Sequence, residues 1–526
     1  SDGIAPGLAR FAVAGSIVGS VLLLGNTVGS AVITVYNGLD RGVRVDIGSH
    51  SLQLAAHGFG TLESPPKGEF RLKASTLEGQ EIEHFEAELG SSFATHIYNI
   101  ASASPLVEWT AHYGNASPQP ERRLGAPRWS SSHVDHVFTQ PPRQISSKSG
   151  GGTRTALAAA PADASPGTEI DMLANDQERR ALIKAHARWD DSHSPYLIYW
   201  LSLAAQTGEQ ASIVATRLRD NPDEVLARRL EQDMSTTPAA HAQVCAAHAE
   251  RARARPDNPD RQYIAIRCLA DKNAKSQAFI EAYRKWPRNG WLANAAGYSF
   301  AERHDWQAAQ EAWVSARGHE PALAPLVSLD TARVRRLLVG EKTARLDDLL
   351  ASSDALRQML AVEQNRDIGE GPIKAYVALA QGQIAQAVEL GRSSPADLHL
   401  LLLAAASEGA SPALIGEALK LGVPEQNEDA LPAMLALASR EKRDTSAYAQ
   451  ALRRNRSEDA EAQLKFLALA QAGKLREADQ ALLGLAPQQL GQAFSMGVIL
   501  LGQQAPSTWR EGAKRLLFAT ERPWFR

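Results

Sequence analysis

Residues 290–321 read GWLANAAGYSFAERHDWQAAQEAWVSARGHEP, and this stretch decides the fold of the C-terminal two-thirds of the chain. Apolar and small residues recur at helical spacing on both sides of the polar pair His304-Asp305. That pattern reads as two helices joined by a tight turn. Proline lacks an amide donor and its ring clashes with the preceding turn, so Pro321 stops the second helix. Pro222, Pro256, Pro287 and Pro321 recur at near-equal intervals. One such stretch fits a generic amphipathic hairpin, but the regular spacing of its neighbours argues for a repeat.

The stretch resembles one tetratricopeptide (TPR) unit, in which two antiparallel helices pack small residues against large ones at fixed places over about 34 residues. With Trp306 at the aromatic place that opens the second helix, Gly297 takes the small place of the first helix and Phe300 follows one turn later. Ala309, Trp313 and Ala316 fill the later places, and His304 stands where the family has a turn glycine. Phe279 and Ala282 repeat the late places in the unit ending at Pro287, whereas Pro238 interrupts the unit ending at Pro256. Residues 460–487 carry Gly473, Leu475, Ala478 and Leu482 in register, and the pattern recurs more weakly around Gly382 and Ala387. The resemblance implies an all-α TPR-like helical solenoid over residues 169–526. It places Trp291, Asn294, Tyr298 and Glu302 on the groove face that such repeats use for peptides. The competing reading has Trp291 and Tyr298 covering the neighbouring repeat.

A chain of 526 residues is long enough for two or three domains. Its net charge of −3 gives no electrostatic footprint for nucleic acid. Cys245 precedes Pro256 by the same interval as Cys268 follows Asp257. An antiparallel hairpin brings such symmetric positions side by side, and a disulfide forms if the Cα atoms approach within roughly 7 Å. The alternative is two buried thiols acting as small hydrophobes. A disulfide implies an oxidising compartment.

The sequence opens on Ser1 rather than Met, as expected of a processed chain or part of a longer one. No charged residue separates Arg10 from Asp40. A helix over residues 9–30 would rise about 33 Å, enough to span a bilayer core. Gly15 with Gly19, and Gly25 with Gly29, form GxxxG pairs that let membrane helices associate closely. Residues 1–30 are therefore expected to form a transmembrane helix. The positive-inside rule applied to Arg10 puts the remainder on the non-cytoplasmic, periplasmic side. A buried glycine-rich helix and a signal peptide are the alternatives.

From Ala31 the period changes to two, and eight short strands separated by Gly, Pro or Ser predict a small antiparallel β-sandwich over residues 31–138. Asn37-Gly38 reads as the hairpin turn between the first two strands. Residues 43–79 carry a V-x-V-x-I strand, a glycine turn and a late F-x-L-x-A strand. They resemble PEGA and carboxypeptidase-regulatory-like β-domains, which implies a spacer or envelope-binding role. Residues 139–168 are rich in Pro, Gly and Ser and read as a flexible linker. Ser194 and Pro195 are expected to open a helix as N-cap and first residue. The sequence closes on ERPWFR, either a packed cap or a free aromatic tail.

There is no HExxH, GxSxG, GxxxxGK[ST] or GxGxxG motif, so no enzyme class and no cofactor is indicated. His133, Asp135 and His136 are three potential metal ligands close together in the chain, and His193 stands near Asp190 and Asp191. Trp109 reads as a β-domain core residue or a sugar-stacking one. The leading functional expectation is a membrane-anchored protein-interaction scaffold whose repeats bind a protein or peptide partner. The alternatives are the non-catalytic C-terminal part of a larger membrane enzyme and an envelope-polysaccharide sensor. The opening SDGIAPGL resembles the segment just after the zinc motif in integral-membrane zinc metallopeptidases.

Overall fold

The computed structural model describes residues 32–66, 68–89, 94–114, 119–144, 151–350, 354–365, 372–392, 397–424, 427–455 and 457–526. The predicted membrane span at 9–30 lies outside them. Among the described residues no helix is long and apolar enough to cross a membrane. The chain divides into two compact units, Ser1–Ser235 and Thr236–Arg526.

The first unit holds twelve strands among its described residues. They are β1 (Val32–Tyr36), β2 (Val43–Ile47), β3 (His50–Leu54), β4 (Phe59–Leu62), β5 (Glu69–Thr76), β6 (Glu81–Glu88), β7 (Thr95–Asn99), β8 (Leu106–Gly114), β9 (Arg122–Gly125), β10 (Trp129–Ser132), β11 (His136–Val137) and β12 (Gly151–Ala159). They form three four-stranded sheets, ordered β10-β7-β1-β4, β11-β12-β8-β9 and β3-β2-β5-β6. The β1–β7 and β11–β12 pairs are parallel, so the all-antiparallel sandwich is right only in part. The first sheet is the middle layer. Its Ile33, Val35 and Tyr98 pack with Val45, Ile47 and Leu72 of the third sheet. Its Ile97 packs on the other face with Leu106 and Leu157 of the second. Neighbours 97 and 98 serve opposite faces because side chains alternate along a strand.

Two expectations are corrected here. Asn37-Gly38 is not a hairpin turn, since β1 pairs with β4 and β7 while β2 pairs with β3 and β5. The hairpin turn is Gly48-Ser49, with Gly48 at φ +55°. Asn37 is instead a buried bracket whose Nδ2 donates to the carbonyls of Arg41 (2.7 Å) and Ala55 (2.8 Å). Gly38 is required by close approach, because a Cβ there would sit 2.3 Å from the Ala103 carbonyl oxygen. The second correction concerns the linker at 139–168. Residues 151–159 are β12, paired along its whole length with β8 from Gly151↔Gly114 to Ala159↔Leu106. A partner strand satisfies the backbone of this Gly/Ala/Thr run, which buries Ala156 and Leu157.

Five helices among the described residues complete the first unit: Pro166–Asp171, Asp176–Trp189, Leu197–Gln206, Gln210–Asp220 and Val225–Met234. The third starts at Leu197 rather than Pro195, and Ser194 is not its cap. Eighteen helices follow in the described part of the second unit, from Pro238–Ala254 to Ser507–Leu516. Helices Gly290–Ala301 and Trp306–His319 form the antiparallel hairpin that the opening stretch predicts. Asn289 and Asp305 cap them by accepting from the amides of Leu292 and Ala308. A Cβ on Gly297 would lie 2.4 Å from the Trp313 indole nitrogen, so the hairpin closes only over glycine. His304 adopts φ +56° in the turn, the conformation for which glycine is the usual choice.

Most consecutive helices of the unit pack as neighbours, as in a solenoid. The path then returns on itself, with Ala324–Val339 packing against both Pro487–Leu501 and Ser507–Leu516. A linear solenoid with contacts only between neighbours does not do this. The ties include Arg336, whose guanidinium donates to the carbonyl of Lys514 at 2.8 Å.

Candidate functional site

The four residues expected to line a groove do not make an open aromatic face. Trp291 is 4% exposed and Asn294 9%, so neither has much surface to offer a partner. The Trp291 ring packs 5.7 Å from Tyr263, and Tyr298 meets Trp313 edge-on at 5.0 Å. The Tyr298 hydroxyl donates to Asp330 (3.0 Å), and Glu302 pairs with Lys272 (3.3 Å). Trp291 packs on Tyr263 of a preceding helix, whereas Tyr298 packs on Trp313 of its own hairpin and bonds Asp330 of the helix that follows. Sequence spacing puts all four on one helix but does not reveal that Tyr263 and Asp330 arrive from other helices to cover them.

Cys245 and Cys268 form a disulfide, with Cα atoms 5.6 Å apart. Among the described residues no three His, Cys, Asp or Glu side chains gather where a metal ion could sit. Asp135 is engaged by Thr155, accepting from its amide at 2.9 Å, and His136 is part of β11. Trp109 is half-buried on β8 opposite Ala156.

His186 is a buried group that sequence spacing left unnamed; its signal was an aspartate one turn on, at 190. Its Nδ1 donates to Asp190 at 3.0 Å, and its Nε2 donates to the Ala103 carbonyl at 2.9 Å. A carboxylate and a carbonyl can only accept, so both ring nitrogens carry protons and the ring is an imidazolium. Glu169 lies 3.8 Å from Nε2, and Trp200 stacks on the ring at 4.5 Å. Burial alone would lower the His186 pKa, but the carboxylates of Asp190 and Glu169 override it and carry it to about 9. Burial pushes Glu169 up to about 7 against the pull of His186. Asp190 also accepts from the Asp40 amide at 2.9 Å. The cluster ties helix Asp176–Trp189 to the β-layers. His186 is only 2% exposed, so the cluster acts as a buried staple.

A groove of about 470 Å³ runs beside this helix, lined by Ile82, Glu83, Lys184, Arg188, Ser212 and Thr216 among others. Its charges are already committed. Arg188 pairs with Asp220, Lys184 with Glu209 at 3.7 Å, and Glu83 accepts from the Tyr98 hydroxyl and the Ala101 amide.

The second unit does hold a non-helical segment, and it is the chain's own: a turn closed by the Glu521 amide donating to the Phe518 carbonyl (2.9 Å), then residues 522–526. Residues 517–526, LFATERPWFR, leave the last helix and run across several others. Phe518 is fully buried beneath the guanidinium of Arg336, 4.5 Å from the ring centre. Glu363 accepts from the Ala519 amide (3.0 Å), and His399 donates to the Thr520 carbonyl (3.2 Å). Glu521 pairs with Arg333. Ser407 accepts from the Trp524 amide (2.9 Å) while donating its own proton to Leu403 (2.8 Å). The Glu408 amide donates to the Trp524 carbonyl (3.0 Å), and the Glu408 carboxylate accepts from the Arg526 amide (2.9 Å). The Trp524 indole lies over Gly382, where a Cβ would come within 2.6 Å of it, and Phe525 is 2% exposed. Side chains and backbone of helices far apart in sequence thus hold this segment residue by residue. Of the two expectations for ERPWFR, the packed one holds.

Comparison with protein-family models, with curated proteins and with solved structures finds no match to this chain.

Proposed function

We propose that the chain is a protein-interaction scaffold whose helical unit binds an extended segment of a protein partner. One observation carries this reading: the helical unit holds the non-helical residues 517–526, a turn at 518–521 followed by 522–526, with aromatic anchors and clamped backbone amides. Peptide grooves generally work in this way, using rigid aromatic contacts together with main-chain hydrogen bonds. The TPR resemblance of residues 290–321 agrees with it. The apolar run at 9–30 supports attachment to a membrane, and the Cys245–Cys268 disulfide supports an oxidising, non-cytoplasmic compartment for the helical unit.

Site-specific photo-crosslinking in native membranes tests the proposal. Photoreactive residues are placed at exposed Val314, Val339 and Leu421 of the helical unit, and at exposed Phe59 and Leu77 of the first unit. The reading expects adducts to a second polypeptide from helical positions. Adducts confined to Phe59 and Leu77 would move the interaction to the first unit and overturn it.

A further inference from the structure

Building on the scaffold reading, we propose that the surface beneath residues 519–526 is a recognition site for a partner segment bearing a cation, proline, tryptophan and phenylalanine in that order, and that the chain's own tail occupies it as a resident competitor. The order is written in the occupant, Arg522-Pro523-Trp524-Phe525.

Each part of the occupant meets a matching feature. Arg522 is attracted by the carboxylates of Glu363 and Glu341 on the helical unit, with Glu521 of the segment itself adding to them. Pro523 is buried and has no amide to satisfy. Trp524 lies on a glycine, Gly382 at φ +77°, at a turn between helices Pro372–Ala380 and Ile384–Arg392. That flat spot exists only without a side chain. Phe525 enters the main apolar core of the unit with Leu400, Leu403 and Leu437.

The polar contacts favour an exchangeable ligand over a permanent strand. From Trp524 onward the backbone is held by the side chains of Ser407 and Glu408 and by the Glu408 amide. Ser407 keeps its own bond to Leu403 whether or not the tail is seated. Glu408 also keeps Arg510 at 2.6 Å. When the segment leaves, the Ser407 hydroxyl keeps Leu403 and the Glu408 carboxylate keeps Arg510, while the Glu408 amide gives up the Trp524 carbonyl and is left for the backbone of an incoming segment.

The test is fluorescence anisotropy with a labelled synthetic peptide of residues 519–526, ATERPWFR. It is titrated into the full chain, into a chain lacking 519–526, and into the full-length double variant Trp524→Ala/Phe525→Ala. A resident tail lowers apparent affinity by the fraction of time the seat is free. Both tail-released proteins should therefore bind at least about tenfold more tightly than the full chain. A peptide with alanine in place of Trp and Phe should not bind. The double variant keeps Phe518 and the full backbone, so it answers the question if the deletion loses its helical circular dichroism. Equal affinity for full and released chains, or no binding to a folded double variant, overturns the proposal. A full chain that forms a dimer abolished by the double variant also overturns it, since the seat would then serve a second copy. Failure here with partner adducts still present at Val314, Val339 or Leu421 leaves the scaffold reading standing.

Discussion

At the scale of single residues, His186 and Gly297 do the most. His186 is a buried cation whose ring nitrogens both meet acceptors. Replacing it with phenylalanine strands Asp190 and should cost about 3–5 kcal/mol, read as a lowered denaturation midpoint of the first unit. Its pH signature has a definite sign. The folded pKa of about 9 lies above the ordinary 6.5, so its contribution is full below pH 6.5 and is lost as pH rises through 9. Glu169, raised from 4.5 to about 7, acts in the same sense between those two values. Stability should therefore fall from pH 5 to pH 9.5, and His186→Phe should flatten the upper half of that slope. A wild-type midpoint that rises with pH over this range would contradict the assignment. Gly297→Ala should cost about 1–3 kcal/mol, because Trp313 is fully buried and cannot withdraw from the new methyl. Thermal melts of the two proteins check it. The need for a small residue at 297 was legible in the sequence, because a fixed small-against-large spacing expresses it. The burial of Trp291 was not. A residue's face on its own helix follows from spacing, whereas its cover by Tyr263 depends on another helix's path.

At the scale of elements, the strands from β1 to β8 were readable as short β-branched and aromatic runs with period-two spacing, separated by Gly, Pro or Ser. Strands β9 to β12 were not. Arg122–Gly125 and Trp129–Ser132 are four residues each and carry a single large apolar residue apiece, so no alternation shows. Gly151–Ala159 is so poor in large apolar residues that its composition imitates a linker. The distinction is testable. Thr155→Pro removes the amide that donates to Asp135 and places proline inside a strand paired on both sides, with β8 and β11. It should cost at least about 2 kcal/mol in denaturant unfolding, whereas a flexible linker would accept it without change. The disulfide links positions 23 residues apart and restricts the unfolded chain. Reduction should lower the stability of the second unit by about 3 kcal/mol. Alkylation followed by mass spectrometry, with and without reductant, checks the bond itself; an unchanged denaturation midpoint on reduction would contradict its stabilising role.

At the scale of the whole molecule, the sequence showed an apolar run, then strands, then helices, and that order holds over the described residues from 32 onward. It did not show that the first five helices fold with the strands, or that the helical path closes on itself. Both depend on contacts between residues distant in sequence, such as His186 with Ala103 and Arg336 with Lys514. ERPWFR was visible as an aromatic segment, but its seat is assembled from Glu363, Gly382, His399 and Ser407, which share no motif. The central claim is that this seat serves a partner. The most direct measurement puts a photoreactive residue in place of His399, beside the Thr520 carbonyl. In the purified full chain the crosslink should fall within residues 517–526. In native membranes a second polypeptide should be trapped at the same position, and trapped more when Trp524→Ala/Phe525→Ala frees the seat. If the freed seat traps no second polypeptide, the segment is only a cap and the claim that this seat serves a partner is contradicted.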